Sequence, residues 1–305
     1  MKTILITGAT DGIGKQTLLN IAKEKHHIIF VGRNQDKCDS VKSEVIEATS
    51  NENIDFFVSD LSLVSENKLL ANKVKEKYAK LDVLLNNVGA LFLKREETKE
   101  GFEKTFALNH LGVFTLTMDL LEMLKSNKHA RIINVASAAH YNVVDKFSKE
   151  KTNRTFIESL LFKTHFNTED LQAKIKYKGA QQYSRSKLMN VLFTYKLASE
   201  HLAGTSVTAN CLHPGFVASK FGHNNSGFFK SFLKFGQKVG AVSLEDGSRA
   251  STFLALSDKV QNTNGRYFDE DCSEIKSSSL SYNQDFQNKL WNYSKKLIRA
   301  QIEQV

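Results

Sequence analysis

Short runs of aliphatic and β-branched residues recur along the chain and are separated by polar or glycine-containing turns. Runs of this length and composition are typical of β-strands. They predict six strands, at residues 3–7, 27–31, 54–59, 83–86, 131–136 and 206–212.

Longer segments with apolar residues at helical spacing lie between these strands. They predict helices at residues 13–24, 35–48, 64–78, 101–124 and 183–201, and a shorter helix near 287–302. Apolar strands that alternate with helices indicate an α/β fold, a Rossmann-type doubly wound parallel sheet with helices on both faces. Ligands bind such sheets at the carboxyl ends of the strands.

The composition indicates one globular domain. The chain has 305 residues, of which 41% are hydrophobic and 25% charged, and its one proline argues against a flexible linker. We therefore treat 1–305 as a single domain. The net charge of +9 is spread along helical segments with acidic residues interleaved. This pattern favours solvated helix faces over a nucleic-acid surface, so we expect no nucleic-acid partner.

The cysteines and the N-terminus bear on the compartment. Cys38, Cys211 and Cys272 are far apart and lack metal-ligand spacing, which indicates free thiols in a reducing compartment. No window approaches the about 18 uninterrupted apolar residues of a membrane-spanning helix. The apolar run at the N-terminus is too short for a signal peptide. We expect a cytoplasmic protein that needs no metal.

The first strand leads into a glycine-rich turn, Thr7-Gly8-Ala9-Thr10-Asp11-Gly12-Ile13-Gly14. Glycine allows a sharp turn and a close approach of the backbone to a pyrophosphate at the N-terminus of the following helix. A glycine cluster can also be a purely structural turn. Its position between the first strand and the first helix favours dinucleotide binding.

The second strand ends at Val31-Gly32-Arg33-Asn34, where a ribose-reading residue is expected. An acidic residue there would select NAD(H), whereas a guanidinium can pair with the 2′-phosphate of NADP(H). Arg33 therefore favours NADP(H), with NAD(H) the less favoured cofactor. The alternative is a surface arginine in a loop.

Tyr183 and Lys187 are four residues apart, which places them on one helix face. A lysine ammonium beside a phenol favours the phenolate, so we expect the pKa of Tyr183 to be lowered from about 10. Such a pair can exchange a proton with a substrate oxygen. Alone, the spacing is a weak signal, because such pairs are more often exposed on a helix.

Further motifs follow in a characteristic order: Asp60-Leu61, Asn86-Asn87-Val88-Gly89, Asn109, Ser137 and Pro214-Gly215-Phe216-Val217-Ala218-Ser219. Together with the glycine turn and the Tyr183–Lys187 pair, they resemble the short-chain dehydrogenase/reductase family. Val88 and Ser219 replace an alanine and a threonine of that family's motifs. Ser137-Ala138-Ala139-His140 and residues 185–193 further resemble its retinol-dehydrogenase-like branch.

The resemblance implies an NADP(H)-dependent oxidoreductase with the catalytic set Asn109, Ser137, Tyr183 and Lys187. Ser137 would orient the substrate carbonyl, Tyr183 would transfer the proton, Lys187 would bind the nicotinamide ribose, and Asn109 would hold a relay water. The cofactor-binding residues expected from the motifs and the resemblance are Thr7, Gly8, Thr10, Asp11, Gly12, Ile13, Gly14, Arg33, Asn34, Asp60, Leu61, Asn87, Val88, Gly89, Tyr183, Lys187, Pro214, Gly215, Val217 and Ser219.

Two variable segments concern the substrate. Residues 141–178 form an unusually long connection, which we interpret as an insertion at the mouth of the site or as a solvated excursion. Residues 221–242 match the family's substrate flap, and their apolar residues suit a retinoid, isoprenoid or other lipid-like substrate. The stretch 226–235 could also contact a membrane surface, or the segment could be a core-packing helix. Residues 273–305 form a C-terminal tail.

The sequence is also compatible with a second function and with an oligomeric state. The chain could be a non-catalytic dinucleotide sensor or scaffold, although the complete catalytic set argues against it. The family often forms dimers or tetramers, so a homo-oligomer is possible. His110 and His140 could approach the cleft, but neither the spacing nor the resemblance gives them a role.

Overall fold

The computed structural model of the chain describes residues 1–145, 162–217 and 242–303. Its strands, in chain order, are β1 (Thr3–Thr7), β2 (His27–Gly32), β3 (Ile54–Val58), β4 (Val83–Asn86), β5 (Arg131–Val135), β6 (Val143–Val144), β7 (Thr164–His165), β8 (Thr208–Leu212), β9 (Tyr267–Phe268) and β10 (Glu274–Ile275). The six predicted strands are all present, with ends that differ from the predictions by at most two residues.

Within the described residues, eight of these strands form one sheet in the order β10-β9-β8-β5-β4-β1-β2-β3. All neighbouring pairs are parallel except β9 and β10, which are antiparallel. The order turns back on itself at β1 and β4, so the carboxyl ends of these two strands border a crevice. The strands β6 and β7 form a separate parallel pair.

Helices cover both faces of the sheet. They are α1 (Gly12–Ala22), α2 (Gln35–Thr49), α3 (Val64–Lys77), α4 (Lys104–Phe106), α5 (Gly112–Lys125), α6 (Gly179–Lys196), α7 (Leu244–Leu256) and α8 (Gln284–Ile302). Short π-helical segments at Ala107–Leu111 and Leu197–His201 extend α4 and α6.

Successive side chains of each strand alternate between two core layers. Leu5 packs with apolar residues of α3, α5 and α8 on one face, whereas Ile4 and Ile6 pack with residues of α1, α2 and α7 on the other. Because both faces are covered, every residue of the central strands β1 and β5 is buried, and most of these residues are apolar. The predicted doubly wound α/β fold is confirmed.

The helix predicted at residues 101–124 is wrong at its start and in its continuity. Glu103 is buried, and its carboxylate accepts hydrogen bonds from the backbone N–H groups of Thr105 and Phe106 at 2.7 and 2.8 Å. This N-cap fixes the start of the helix at Lys104, and the π-helical segment interrupts the regular spacing. The helix α7 was missed, although Ser243 caps it.

Parts of two predicted segments lie outside the described residues: 146–161 within the segment 141–178, and 218–241, which include Ser219, the stretch 226–235 and nearly all of the segment 221–242. The described ends of the first segment pack on α6, where Gln181 Nε2 donates to the Lys163 carbonyl at 2.9 Å and Arg185 Nη2 donates to Thr164 Oγ1 at 2.8 Å. No helix in the described ranges is long and apolar enough to cross a membrane.

Candidate active site

The turn between β1 and α1 has a backbone that requires glycine. Gly8 and Gly12 have φ angles of +67° and +54°, a region that side chains with a Cβ rarely adopt. A Cβ on Gly14 would lie 2.4 Å from both Asn87 Nδ2 and the Gly8 carbonyl oxygen. The turn therefore presents bare backbone at the N-terminus of α1, where anions bind.

Thr7 lies behind this turn and joins it to the loop after β4. Its hydroxyl oxygen accepts hydrogen bonds from the N–H groups of Asn87 and Val88 at 3.0 and 3.1 Å. The Asn87 side chain donates back to the carbonyl oxygens of Thr7 and Gly8 at 2.9 and 3.1 Å. Thr7 itself is buried. Its side chain thus holds two cleft-forming loops together instead of lining the cleft.

A cleft of about 400 Å³ crosses the carboxyl ends of β2, β1, β4 and β5. Predicted cofactor residues that line it are Gly8, Thr10, Asp11, Gly12, Ile13, Gly14, Arg33, Leu61, Asn87, Val88, Gly89, Tyr183, Lys187 and Pro214. The glycine turn, the end of β2 and the Tyr183–Lys187 pair therefore border one continuous space.

Two cations border the cleft at the end of β2. Arg33 is exposed there, and Lys37 was missed by the sequence analysis although it lies in the first turn of α2. The Lys37 ammonium pairs with the Asp11 carboxylate at 3.0 Å. Asn34, predicted to touch the cofactor, caps α2 by accepting a hydrogen bond from the Lys37 N–H at 2.8 Å. Lys37 follows Arg33 by four residues, and this spacing could have indicated a second cation at the end of β2.

The loop after β3 contributes through Leu61 but not through the side chain of Asp60. One carboxylate oxygen of Asp60 accepts hydrogen bonds from the N–H and the hydroxyl of Ser62, at 3.0 and 2.7 Å. Leu61 and Ser59 line the cleft. Asp60 therefore stabilises the turn that places Leu61.

Tyr183 and Lys187 lie on one face of α6, as predicted, and both are buried. The Lys187 ammonium lies 5.7 Å from the centre of the Tyr183 ring and donates to the Val135 carbonyl at 2.8 Å. Burial raises the pKa of Tyr183 to about 12, against the opposing effect of a hydrogen bond with Ser137, and lowers the pKa of Lys187 to about 8. The predicted lowering of the Tyr183 pKa is wrong for this arrangement, because desolvation of the phenol outweighs the hydrogen bond with Ser137.

Ser137 follows β5 and caps a short 3-10 helix, Ala138–Asn142. Its hydroxyl oxygen accepts a hydrogen bond from the Ala139 N–H at 3.1 Å. A hydrogen bond between the Ser137 and Tyr183 side chains acts against the rise in the pKa of the tyrosine. The Ser137 hydroxyl thus lies beside the phenol of Tyr183, which lines the cleft.

Asn109 lies in the π-helical segment and is fully buried. Its amide accepts a hydrogen bond from the Ala90 N–H and donates to the Ala90 carbonyl, both at 2.9 Å, and donates to Ser186 Oγ at 3.0 Å. A Cβ on Gly89 would lie 3.0 Å from Lys187 Nζ and 3.6 Å from Asn109 Oδ1. Asn109 is therefore beside the lysine, with its amide fastened to the loop after β4 and to α6.

The segment after β8 borders the cleft through Pro214. Gly215 has a φ angle of +71°, and Val217 forms a bridge with Val242. His213 lies between two carboxylates, with Nε2 3.1 Å from Asp269 and Nδ1 3.3 Å from Glu270. Burial and the neighbouring Asp269 raise the pKa of Glu270 to about 7.

Within the described ranges, His213, Asp269 and Glu270 form a group whose potential metal-ligand atoms lie within 4.8 Å of one another. The sequence did not indicate this group, because β8 and β9 bring distant segments together.

His110 is buried against the C-terminal helix, with Nε2 2.8 Å from Ser294 Oγ, and burial lowers its pKa to about 3. It therefore packs away from the cleft as a neutral side chain.

The chain is similar to known proteins across its length. The family model described as short chain dehydrogenase matches residues 2–149. Retinol dehydrogenase 12 of Mus musculus is 34% identical, over 99% of this chain and 88% of that protein. Polyprenol dehydrogenase of Homo sapiens is 32% identical, over 96% and 84%. A solved structure of an uncharacterized protein from Mycobacterium paratuberculosis has a TM-score of 0.72 and 24% identity, over 98% and 94%.

Proposed function

The chain belongs to the short-chain dehydrogenase/reductase family, and on that premise we propose that it transfers a hydride between NADP(H) and an apolar carbonyl or alcohol. The observation that carries the proposal is one cleft bordered by a glycine turn, two cations and the buried Tyr183–Lys187 pair. Each of these features answers a separate requirement of the reaction: phosphate binding, recognition of the ribose phosphate, and proton transfer.

The residues of the cleft fit a nicotinamide dinucleotide. Gly8 and Gly14 lie where a Cβ would clash with surrounding atoms, so the backbone is bare where a pyrophosphate would rest. Arg33 and Lys37 would pair with a 2′-phosphate on the adenine ribose, which favours NADP(H) over NAD(H). When bound, the nicotinamide supplies or accepts the hydride.

The chain's own groups would orient the substrate and manage one proton. The Ser137 hydroxyl would hold the carbonyl oxygen beside the phenol of Tyr183, with which it already shares a hydrogen bond. A pKa of about 12 keeps Tyr183 protonated at neutral pH, so it can donate to the alkoxide formed on reduction.

Lys187 and Asn109 would support this transfer. With a pKa of about 8, Lys187 is mostly protonated at neutral pH and can donate to ribose hydroxyls as well as to Val135. Its positive charge would also stabilise a phenolate on Tyr183, 5.7 Å away at the ring centre. Asn109 would keep the loop of Gly89 and Ala90 in register with α6.

The proposed substrate class rests on the cleft and on the relatives. Val88, Ala90, Phe92, Leu108 and Ala136 give the cleft an apolar portion. Proteins named retinol dehydrogenase and polyprenol dehydrogenase are more than 30% identical to this chain. Both observations support a retinoid, isoprenoid or other lipid-like aldehyde, ketone or alcohol as the substrate.

The test compares rates with NADPH and NADH on three aldehydes: all-trans-retinal, the isoprenoid farnesal and the polar glyceraldehyde. We expect turnover of the two apolar aldehydes, faster with NADPH. Activity confined to glyceraldehyde would contradict the substrate class, and faster turnover with NADH would contradict the cofactor choice. NADPH binding without turnover of any carbonyl would favour a dinucleotide sensor instead.

A further inference from the structure

His140 is a fully buried histidine that the proposed mechanism does not use. It lies three residues after Ser137, at the end of β5, and all its polar atoms have partners. Nδ1 is 2.7 Å from the Ser137 carbonyl oxygen and 3.3 Å from the Tyr267 hydroxyl, and Nε2 is 3.1 Å from the backbone nitrogen of Ser278. The ring packs on Tyr141 and Tyr267, with centroid distances of 4.0 and 4.9 Å.

These partners determine which ring nitrogen carries the proton. A backbone N–H can only donate, so Nε2 must accept from Ser278 and must itself be unprotonated. The Ser137 carbonyl can only accept, so Nδ1 must carry the proton and donate. His140 is therefore a neutral ring with its proton on Nδ1.

The Ser137 carbonyl receives two hydrogen bonds from the same residue. The His140 backbone N–H donates at 3.0 Å and the ring Nδ1 donates at 2.7 Å. Both close the turn that Ser137 begins, and the Ser137 hydroxyl accepts from Ala139 within the same turn. Since Ser278 belongs to the C-terminal segment, the imidazole connects the serine turn to a part of the chain far away in sequence.

We propose that His140 is a positioning residue for the reaction, which sets the orientation of Ser137 toward Tyr183 and the substrate carbonyl. The inference rests on the proposed function. A buried imidazole bonded at both nitrogens restrains the Ser137 backbone, and so fixes the position from which the Ser137 hydroxyl meets Tyr183. Misplacement of a reacting group by about 1 Å can lower a rate on the order of 100-fold.

Two amide substitutions separate the two ends of the ring. In His140→Asn, the shorter side chain can place its nitrogen where Nδ1 lies and keep the donor to Ser137. In His140→Gln, the longer side chain can reach the Ser278 N–H with its oxygen but leaves the Ser137 carbonyl without the side-chain donor. A role confined to filling space and stabilising the fold would make both variants equally defective.

We expect His140→Gln to lower kcat by about 10- to 100-fold, with KM and the Kd of NADPH within about threefold of wild type. His140→Asn should retain most of kcat. Equal activity of the two variants, or a defect expressed in KM or NADPH binding alone, would overturn the proposal.

A measurement on the wild-type protein does not depend on turnover, and it needs a variant only to assign one signal. Long-range proton–nitrogen NMR spectra distinguish the two neutral tautomers of each histidine, and His140→Asn identifies the signal of His140. We expect the proton on Nδ1. A signal with the proton on Nε2 would refute the hydrogen bond to Ser137. Absence of turnover in a wild-type protein that has the Nδ1 proton would count against the proposed function and would overturn the catalytic role of His140, but not its hydrogen bond.

Discussion

Glu103 is the buried acid that fastens together the two helices carrying Asn109 and Tyr183. One carboxylate oxygen accepts from the Thr105 N–H at 2.7 Å and from the Tyr177 hydroxyl at 3.3 Å. The other accepts from the Phe106 N–H at 2.8 Å and from Gln182 Nε2 at 2.9 Å. The side chain is fully buried, so water cannot replace any of these partners.

Glu103→Gln keeps the size of the side chain but turns one acceptor into a donor. Each carboxylate oxygen already faces a backbone N–H, so the new NH₂ group meets another donor in either orientation. The change removes a hydrogen bond to a charged group, worth about 1.5–3 kcal/mol, and leaves a buried N–H unsatisfied, at about 1–3 kcal/mol. Because such costs are not additive, we expect a loss of about 2–4 kcal/mol in the free energy of unfolding.

Urea unfolding followed by the fluorescence of Trp291, the only tryptophan, measures this loss. Glu100→Gln is the matched control, because Glu100 also caps a helix, through the N–H groups of Val64 and Ser65, but is only half-buried. We expect the control to lose less than about 1 kcal/mol. Similar losses for the two variants would refute the argument that burial of the Glu103 carboxylate is what makes its bonds indispensable.

Two further predictions concern the cleft. Arg33→Asp should lower the ratio of kcat/KM for NADPH to that for NADH by about 10- to 100-fold, because it removes a charge-assisted hydrogen bond worth about 1.5–3 kcal/mol and adds repulsion. The same charge change at exposed Lys128 should leave the ratio unaltered, and an unaltered ratio in Arg33→Asp would exclude the arginine from phosphate recognition. Burial lowers the pKa of Lys187 to about 8, so between about pH 8 and 10 the unfolded chain binds more protons at this residue than the folded chain does. The contribution of Lys187 to the free energy of unfolding therefore rises with pH in that window. In Lys187→Met, the free energy of unfolding, measured with urea at a series of pH values, should rise less steeply with pH. A dependence on pH as steep as that of the wild type would contradict this prediction.

Local sequence patterns were sufficient to predict the sheet, the glycine turn and the pairing of Tyr183 with Lys187. Each depends on a short range of residues: apolar runs for the strands, a turn between a strand and a helix, and a spacing of four on one helix face. The structure places the glycine turn and the pair on one cleft because parallel strands bring their carboxyl ends to the same edge.

Features that depend on tertiary contacts could not be predicted in this way. The Glu103 carboxylate caps its helix through Thr105 and Phe106, but its burial and its bond to Gln182 of α6 are not encoded in residue spacing. The pKa of Tyr183 was predicted in the wrong direction because spacing reveals the lysine neighbour but not the extent of burial. His140 received no role because its partner Ser278 lies far along the chain.

The central claim is proton donation by Tyr183 within an NADP(H)-binding cleft, and one paired measurement tests it most directly. Tyr183→Phe and the control Tyr195→Phe are compared for NADPH binding by fluorescence and for reduction of an apolar aldehyde. Tyr195 lies on the same helix, but its hydroxyl bonds to Ser277. We expect both variants to bind NADPH like wild type, with turnover largely lost only in Tyr183→Phe. Comparable turnover in Tyr183→Phe and wild type would contradict the account.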